Sequence, residues 1–246
     1  LCMQIAIYGR KFSDDAVPFV QQLFDCLHDM GIKTVVFEPF SVYLTSRILF
    51  RQSPVVFTTH EELVAQSQFL ISIGGDGTLL DTLTLVRDSG IPVVGMNMGR
   101  LGFLASIAKE EITNAIESLL KGHYTIDKRS LIRLEADRKL FEGVNYGLNE
   151  LVIHKKDTSS MIIIHTYLNG EFLNSYWADG LIVSTPTGST GYNLSCGGPI
   201  VFPRSESFIV TPISPHNLNV RPIIISDNSI ISFEIEGRSS YFNVSL

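Results

Sequence analysis

Over the first half of the chain, short continuous apolar runs alternate with apolar residues at helical spacing. Ile5-Ala6-Ile7-Tyr8 reads as a strand. Val20, Leu23, Phe24, Leu27 and Met30 then fall at i, i+3, i+4, i+7 and i+10, the stripe of an amphipathic helix that Gly31 stops. Residues 33–38 read as a second strand, 41–59 are less regular, and a short helical piece starts at Glu61. The run 69–73 is another strand, followed by helical spacing from about Leu79 to Asp88 and a buried strand over 92–95. Ile112, Ala115, Ile116, Leu119 and Leu120 mark a helix ending at Gly122. Such alternation predicts an α/β N-terminal domain, a parallel sheet covered by helices, with ligands at the carboxyl ends of the strands.

Beyond Tyr124 the periodicity shortens. Strands are predicted over 130–136, 147–154, 162–168, 171–177, 181–185, 208–213, 222–225 and 230–236, with Asn169-Gly170 as a two-residue hairpin signal. A mainly antiparallel β domain follows. The expected division is 1–123 and 124–246.

Composition narrows the classes. In 246 residues, 45% are apolar and 18% charged, enough to bury a sizeable core. A formal charge of −6 without clustered Lys and Arg argues against a nucleic-acid partner. Cys2, Cys26 and Cys196 lie far apart, with neither zinc nor disulfide spacing, which suits a reducing compartment and a packing role. No apolar run approaches the roughly 18 residues of a membrane span, and the start lacks a basic-then-apolar leader, so no membrane partner and a cytoplasmic location are expected. The chain stops inside a strand-like pattern, Tyr241 to Leu246, so a further tail is expected.

The chemistry concentrates in three places. After the strand 69–73 come Gly74-Gly75-Asp76-Gly77, then helical spacing from Thr78. Glycines let an anionic ligand approach the main chain, and amides at a helix start attract phosphate. A carboxylate there repels an anion but serves as a proton acceptor or a partner of Mg²⁺; the alternative is a solvated turn. The second place is the run from Trp177 to Pro199, in which glycines and Ser/Thr hydroxyls follow an apolar strand. It suits a loop bonding a polar ligand, or a long surface loop with capping hydroxyls. The third is Asn149-Glu150, where an amide suits an adenine edge and a carboxylate suits ribose hydroxyls, or which is a strand end in water. His165 is expected to be a satisfied strand histidine, Lys155-Lys156 a solvated loop, His216 a buried structural group and Arg100 a phosphate contact. None has the spacing of a metal site.

Gly74-Gly75-Asp76-Gly77-Thr78, then Asn97 through Leu104, then Leu148-Asn149-Glu150, then Asp179-Gly180 running to Thr185 through Tyr192, closely resemble the NAD kinases in kind and order. Gly197-Gly198-Pro199-Ile200 and Pro212 through His216 extend the match, whereas the first 60 residues match only in pattern. The resemblance implies an α/β N-terminal domain and an all-β, sandwich-like C-terminal domain, with the chain's end returning to the first. It implies transfer of a phosphoryl group from ATP to the 2′-hydroxyl of the adenosine ribose of NAD. By carry-over Asp76 is the proton acceptor with Gly77 beside it, Phe103 packs near adenine, and Asn149 and Glu150 hold adenine or ribose. Asp179 faces the nicotinamide, and Thr187, Thr190, Gly191, Tyr192, Asn193, Leu194 and Ser195 line the rest. Family members form dimers or tetramers and some build the pocket from two subunits, so self-association is expected.

The chain departs from the family at three positions. Gly191 stands where Ala is common, Ala178 where many have Gly, and Trp177 where some relatives carry a basic residue. ATP needs Mg²⁺ to screen its phosphates, and with no private cage of carboxylates the ion is expected to arrive with the nucleotide. Walker and protein-kinase motifs are absent. The competing readings are a lipid or sugar kinase with the same glycine turn, and a non-catalytic dinucleotide-binding regulator.

Overall fold

In the first unit, Leu1–Ile126, the uninterrupted apolar runs become strands, the central ones buried on both faces and the edge ones partly exposed. These are β1 (Gln4–Gly9), β2 (Lys33–Phe37), β3 (Val55–Phe57), β4 (Phe69–Ile73), β5 (Val93–Asn97) and β6 (Ile107–Ala108), all parallel, in the order β3-β2-β1-β4-β5-β6. Between them run α1 (Val17–Asp29), α2 (Glu38–Thr45), α3 (His60–Gln66), α4 (Asp76–Asp81) and α5 (Leu83–Val86), and α6 (Ile112–Leu120) follows β6. The computed structural model describes residues 3–99, 102–138, 140–141, 144–156, 160–239 and 241–246. Cys2 and Arg100 therefore lie outside the described residues.

Strand alternation sends Ile5, Ile7, Ile71 and Ile73 to one face, where they cluster with Leu23 and Leu27 of α1, Phe40 of α2 and Ile116 of α6. Ala6 and Leu70 face the other side and cluster with Leu63, Leu85 and Val86. Each fully buried leucine contributes about 1.5–3 kcal/mol. Strand order reverses between β1 and β4, the switch point where doubly wound sheets leave a crevice beyond the carboxyl ends. The Gly74-Gly75-Asp76-Gly77 turn leaves β4 there.

Several boundaries differ from the sequence reading for local reasons. Strand β2 stops at Phe37 because Glu38-Pro39 opens α2, with proline in the first turn. The remainder of α2 and β3 fill part of the region expected to be irregular. A capping box starts α3: the Glu62 amide donates to the Thr59 hydroxyl (3.3 Å) and the Thr59 amide to the Glu62 carboxylate (3.4 Å). The single helix expected over 79–88 is two, α4 and α5, and it begins earlier, at Asp76. At the junction Thr82 is wholly buried, and its hydroxyl donates to the Leu79 carbonyl at 2.6 Å.

The second unit, Asp127–Leu246, contains β7 (Ile132–Arg133), β8 (Tyr146–Gly147), β9 (Glu150–Lys155), β10 (Ile162–Leu168), β11 (Glu171–Ala178), β12 (Gly180–Ser184), α7 (Tyr192–Ser195), β13 (Ser207–Ile213), β14 (Ile223–Ser226), β15 (Ile231–Glu236) and β16 (Phe242–Ser245). Two antiparallel sheets, β11-β10-β15 and β14-β13-β12-β9-β16, share one core. Ile162, Ile164 and Tyr176 from the first meet Leu151, Ile153, Leu181, Val183 and Val210 from the second. This is sandwich packing. Asn169 and Gly170, at φ of 52° and 86°, make the expected hairpin turn. The strand expected over 147–154 is interrupted at Leu148-Asn149, whose carbonyls turn away to accept from Thr185. Among the described residues, no helix is long and apolar enough to cross a membrane.

Gly95 of β5 tests how tightly the first unit closes behind the glycine turn. A Cβ there would lie 2.7 Å from the Ala105 Cα and 2.8 Å from Leu79 Cδ1. Gly95→Val is expected to cost about 1–3 kcal/mol by overpacking, read as a lower urea midpoint at unchanged slope. An unchanged midpoint would mean that the close approach is not a constraint.

Candidate functional site

In the first unit the site is built around Asp76. Gly74 has φ +151°, and a Cβ on it would lie 2.3 Å from the Thr78 hydroxyl, so only glycine lets the chain turn from β4 into α4 here. The turn aims the Asp76 side chain at three successive amides. Phe103 N–H donates to Oδ2 at 2.8 Å; Leu104 and Ala105 N–H donate to Oδ1 at 3.0 and 2.9 Å. Burial pulls this carboxyl upward, but the amide bonds from Ala105, Leu104 and Phe103 outweigh it and hold it below its ordinary value. Gly77 is exposed beside it. The Phe103 ring is 90% exposed while its amide is engaged. Asn97, at the end of β5, is buried and anchors this segment: its amide donates to the Ala105 carbonyl at 3.3 Å and its Oδ1 accepts from Gly99 N–H at 2.8 Å.

In the second unit the polar run after β12 is held largely by its own side chains. Ser184, Thr185 and Ser189 are buried and spend their hydroxyls on backbone groups at Asn149, Leu148, Gly188, Pro186 and Val201. Asn193 is also wholly buried; its amide donates to the carbonyls of Ser189 (2.9 Å) and Pro199 (3.0 Å), and its Oδ1 accepts from the Thr211 hydroxyl (2.6 Å). Thr190, Gly191, Tyr192, Leu194 and Ser195 are exposed, whereas Thr187 is half-buried and accepts from Arg129 at 3.2 Å. Burial first, then Cys196 and Asp179, raise the Tyr192 phenol.

Glu150 opens β9 with Oε2 buried and without a hydrogen-bond partner among the described residues. Burial alone pushes its carboxyl above the usual range. Gly191 lies against it: a Cβ there would be 3.3 Å from Oε2. Asp179, half-buried, pairs with Lys155 Nζ at 2.5 Å, and its carbonyl accepts from the Lys155 amide at 2.8 Å.

Three expectations need correction. Lys155 closes β9 in that ion pair and is no solvated loop residue, because the β9–β12 register sets it beside Asp179. His216 is exposed, its ring 4.2 Å from that of Trp177, and is not a buried structural group: its amide donates to the Trp177 carbonyl and leaves the ring at the surface. The hydroxyls at 184, 185 and 189 face inward. His165, bonded to the Ser175 hydroxyl at 2.7 Å, is satisfied as expected. Sequence reading missed Lys155, Arg129 and Thr211, and also the amides of Leu104 and Ala105. Among the described residues, no group of three or more His, Cys, Asp or Glu is placed to hold a metal ion. An open recess of about 340 Å³ in the second unit, edged by Asn174, Tyr176 and Arg221, contains none of the residues singled out in the sequence.

Two family descriptions cover the chain: ATP-NAD kinase N-terminal domain over residues 5–124 and ATP-NAD kinase C-terminal domain over 148–244. The chain belongs to the NAD kinase family. Its relatives include the NAD kinases of Cytophaga hutchinsonii, 52% identical across 99% of this chain and 84% of that protein, and of Bacteroides fragilis, 42% identical across 99% and 83%. Two solved structures share the fold: yeast NADH kinase complexed with NADH (TM-score 0.83, 24% identity, 100% of this chain and 75% of that one) and an NAD kinase from Archaeoglobus fulgidus in complex with ATP (TM-score 0.70, 24%, 98% and 86%). The α/β unit followed by a β-rich unit is therefore the NAD kinase arrangement. At Gly191 a Cβ would approach the Gly188 carbonyl to 3.2 Å and Glu150 Oε2 to 3.3 Å, so glycine spares both.

A half-buried carboxylate with one buried oxygen lacking a partner among the described residues is a local cost to folding, reduced by solvent at its exposed side. With the folded value raised, this cost is absent below the unfolded carboxylate pKa and is fully present once pH exceeds the folded value. Glu150→Gln is expected to raise Tm at pH 7.5 by about 2–4 °C, the shift expected for roughly 1 kcal/mol in a chain of this size, and the gain should shrink on acidification. A Tm lowered at pH 7.5 would show that the carboxylate is compensated.

Proposed function

We propose that this chain transfers the γ-phosphoryl group of ATP to the 2′-hydroxyl of the adenosine ribose of NAD, giving NADP and ADP, with Asp76 receiving the hydroxyl proton. Family membership over both units and 52% identity to a curated NAD kinase support the activity. One observation carries the role of Asp76. A carboxylate offers about four acceptor positions, and the amides of Phe103, Leu104 and Ala105 take three. Among the described residues, one position on Oδ2 is left for a hydroxyl.

Phosphoryl transfer through a loose transition state needs mainly alignment and charge neutralisation. The ribose hydroxyl becomes strongly acidic only as its oxygen bonds to phosphorus, so a carboxylate of low basicity is sufficient. Held ionised, Asp76 stays deprotonated at neutral pH and accepts the proton late. We assign Phe103 to adenine, Asn149 and Glu150 to adenine or ribose, and Asp179 to the nicotinamide end. Thr187, Thr190, Gly191, Tyr192, Leu194 and Ser195 line the remaining contacts, while Asn193 holds their loop in shape. ATP enters with a divalent ion such as Mg²⁺ as part of the substrate. Among the described residues, no group of three or more His, Cys, Asp or Glu offers a resident ion a cage, so the ion is part of the substrate. Self-association to a dimer or tetramer and a cytoplasmic location complete the proposal.

Asp76→Asn is expected to lower kcat by at least about 10²-fold, the contribution of a positioned base, in a coupled assay of NADP formation. KM for NAD should change much less. Normal turnover by the substituted enzyme would remove Asp76 from the mechanism.

A further inference from the structure

The amides that hold Asp76 arrive on a segment that begins at Gly102. A Cβ built on Gly102 would lie 2.1 Å from Asp76 Oδ1, 2.5 Å from its Cγ and 2.7 Å from Oδ2. All three contacts are to the carboxyl group itself, and none is to backbone or to an apolar side chain. Glycine is needed here for space, because a side chain would enter the carboxyl group. The missing side chain is the room in which the carboxylate sits.

We propose that Gly102 is a positioning residue for Asp76, its bare Cα allowing the amides of Phe103, Leu104 and Ala105 to close on the carboxylate and leave one acceptor position open. The consequence for turnover rests on the reading of Asp76 as proton acceptor; the consequence for geometry does not. Asp76 has a short side chain attached to the first residue of α4. A methyl group at 102 cannot be absorbed at the tip of a long flexible neighbour, so it must rotate the carboxyl group away or lift the segment. Either movement breaks amide bonds to Oδ1, and Gly95 packing against Ala105 from β5 limits how far the segment can retreat. The same glycine therefore sets both the direction of the free lone pair and the basicity of the group. With the amide bonds gone, burial is left to push the carboxyl upward.

The test compares the whole chain as wild type, Gly102→Ala and Asp76→Asn. Gly102→Ala is expected to lower kcat at least about tenfold, since a misplacement near 1 Å can cost up to roughly 10²-fold. KM for NAD and for ATP should stay within about threefold, the pattern of a lost transition-state interaction. The acid limb of the kcat–pH profile should move to higher pH, a shift that a simple loss of folded protein would not cause. Wild-type kcat and an unmoved acid limb in Gly102→Ala, beside an inactive Asp76→Asn, would overturn the proposal while leaving the base intact. Backbone ¹H–¹⁵N resonances of Phe103, Leu104 and Ala105 provide the second readout, independent of activity. In wild type all three should titrate together with one apparent pKa below that of an unstructured aspartate, and in Gly102→Ala they should lose that response. Independent titration in wild type, or an unchanged response in Gly102→Ala, would overturn it even if Asp76 proved dispensable for turnover.

Discussion

Three consecutive amides closing on one carboxylate tie the turn after β4 to the segment after β5. That contact joins two stretches 27 to 29 residues apart in sequence, and it is charge-assisted, roughly twice as strong as a neutral hydrogen bond. It works only because the parallel sheet first brings β4 and β5 side by side, with Ile73 level with Met96. Gly74 then turns the chain out of the sheet, and its own amide is secured on the Met96 carbonyl at 3.0 Å. Removing any one of these steps leaves the carboxylate either unpaired or aimed elsewhere.

The second unit follows a different rule. There the glycine- and hydroxyl-rich run after β12 satisfies most of its buried polar groups internally, through Thr185, Ser189 and Asn193. An irregular segment packed against a sheet would otherwise leave backbone groups orphaned, at a cost of about 1–3 kcal/mol each. The hydroxyl density that looks like ligand chemistry in the sequence is therefore partly the means by which a loop becomes rigid. Among the described residues, Glu150 Oε2, like the Thr166 hydroxyl of β10, stays buried with no partner, and a carboxylate in that state is retained where the partner is a ligand more readily than where stability is the only demand.

The sequence made the layers legible because continuous apolar runs and helical stripes report burial directly. Strand β4 and helix α1 came through for that reason, and the Asn169-Gly170 turn because both residues accept positive φ. The turn at Asp76 stands out in the sequence as three glycines around one acid, although a solvated turn can carry the same letters. The three amides were not legible, because a backbone donor has no letter of its own. Lys155 read as a surface residue because the strand register that sets it beside Asp179 pairs residues distant along the chain. The helix α2 was hidden by Pro39, which reads as a breaker unless it is recognised as a first-turn residue.

A base whose proton affinity is lowered by its own surroundings looks poorly suited to attack on a weakly acidic alcohol. The difficulty disappears when the order of events is considered. If the proton left first, the carboxylate would have to compete with an alkoxide, and three amide bonds would make that competition worse. When phosphorus approaches first, the hydroxyl oxygen becomes positive, and even a weak base removes its proton without a barrier of its own. In the proposed reaction the amides serve a second purpose: they favour the ionised form of Asp76 against the negative field of a nucleotide's phosphates, which would favour a protonated, inert acid. Low basicity and a persistent charge are the same property of the cradle, and a reaction with late proton transfer can use both.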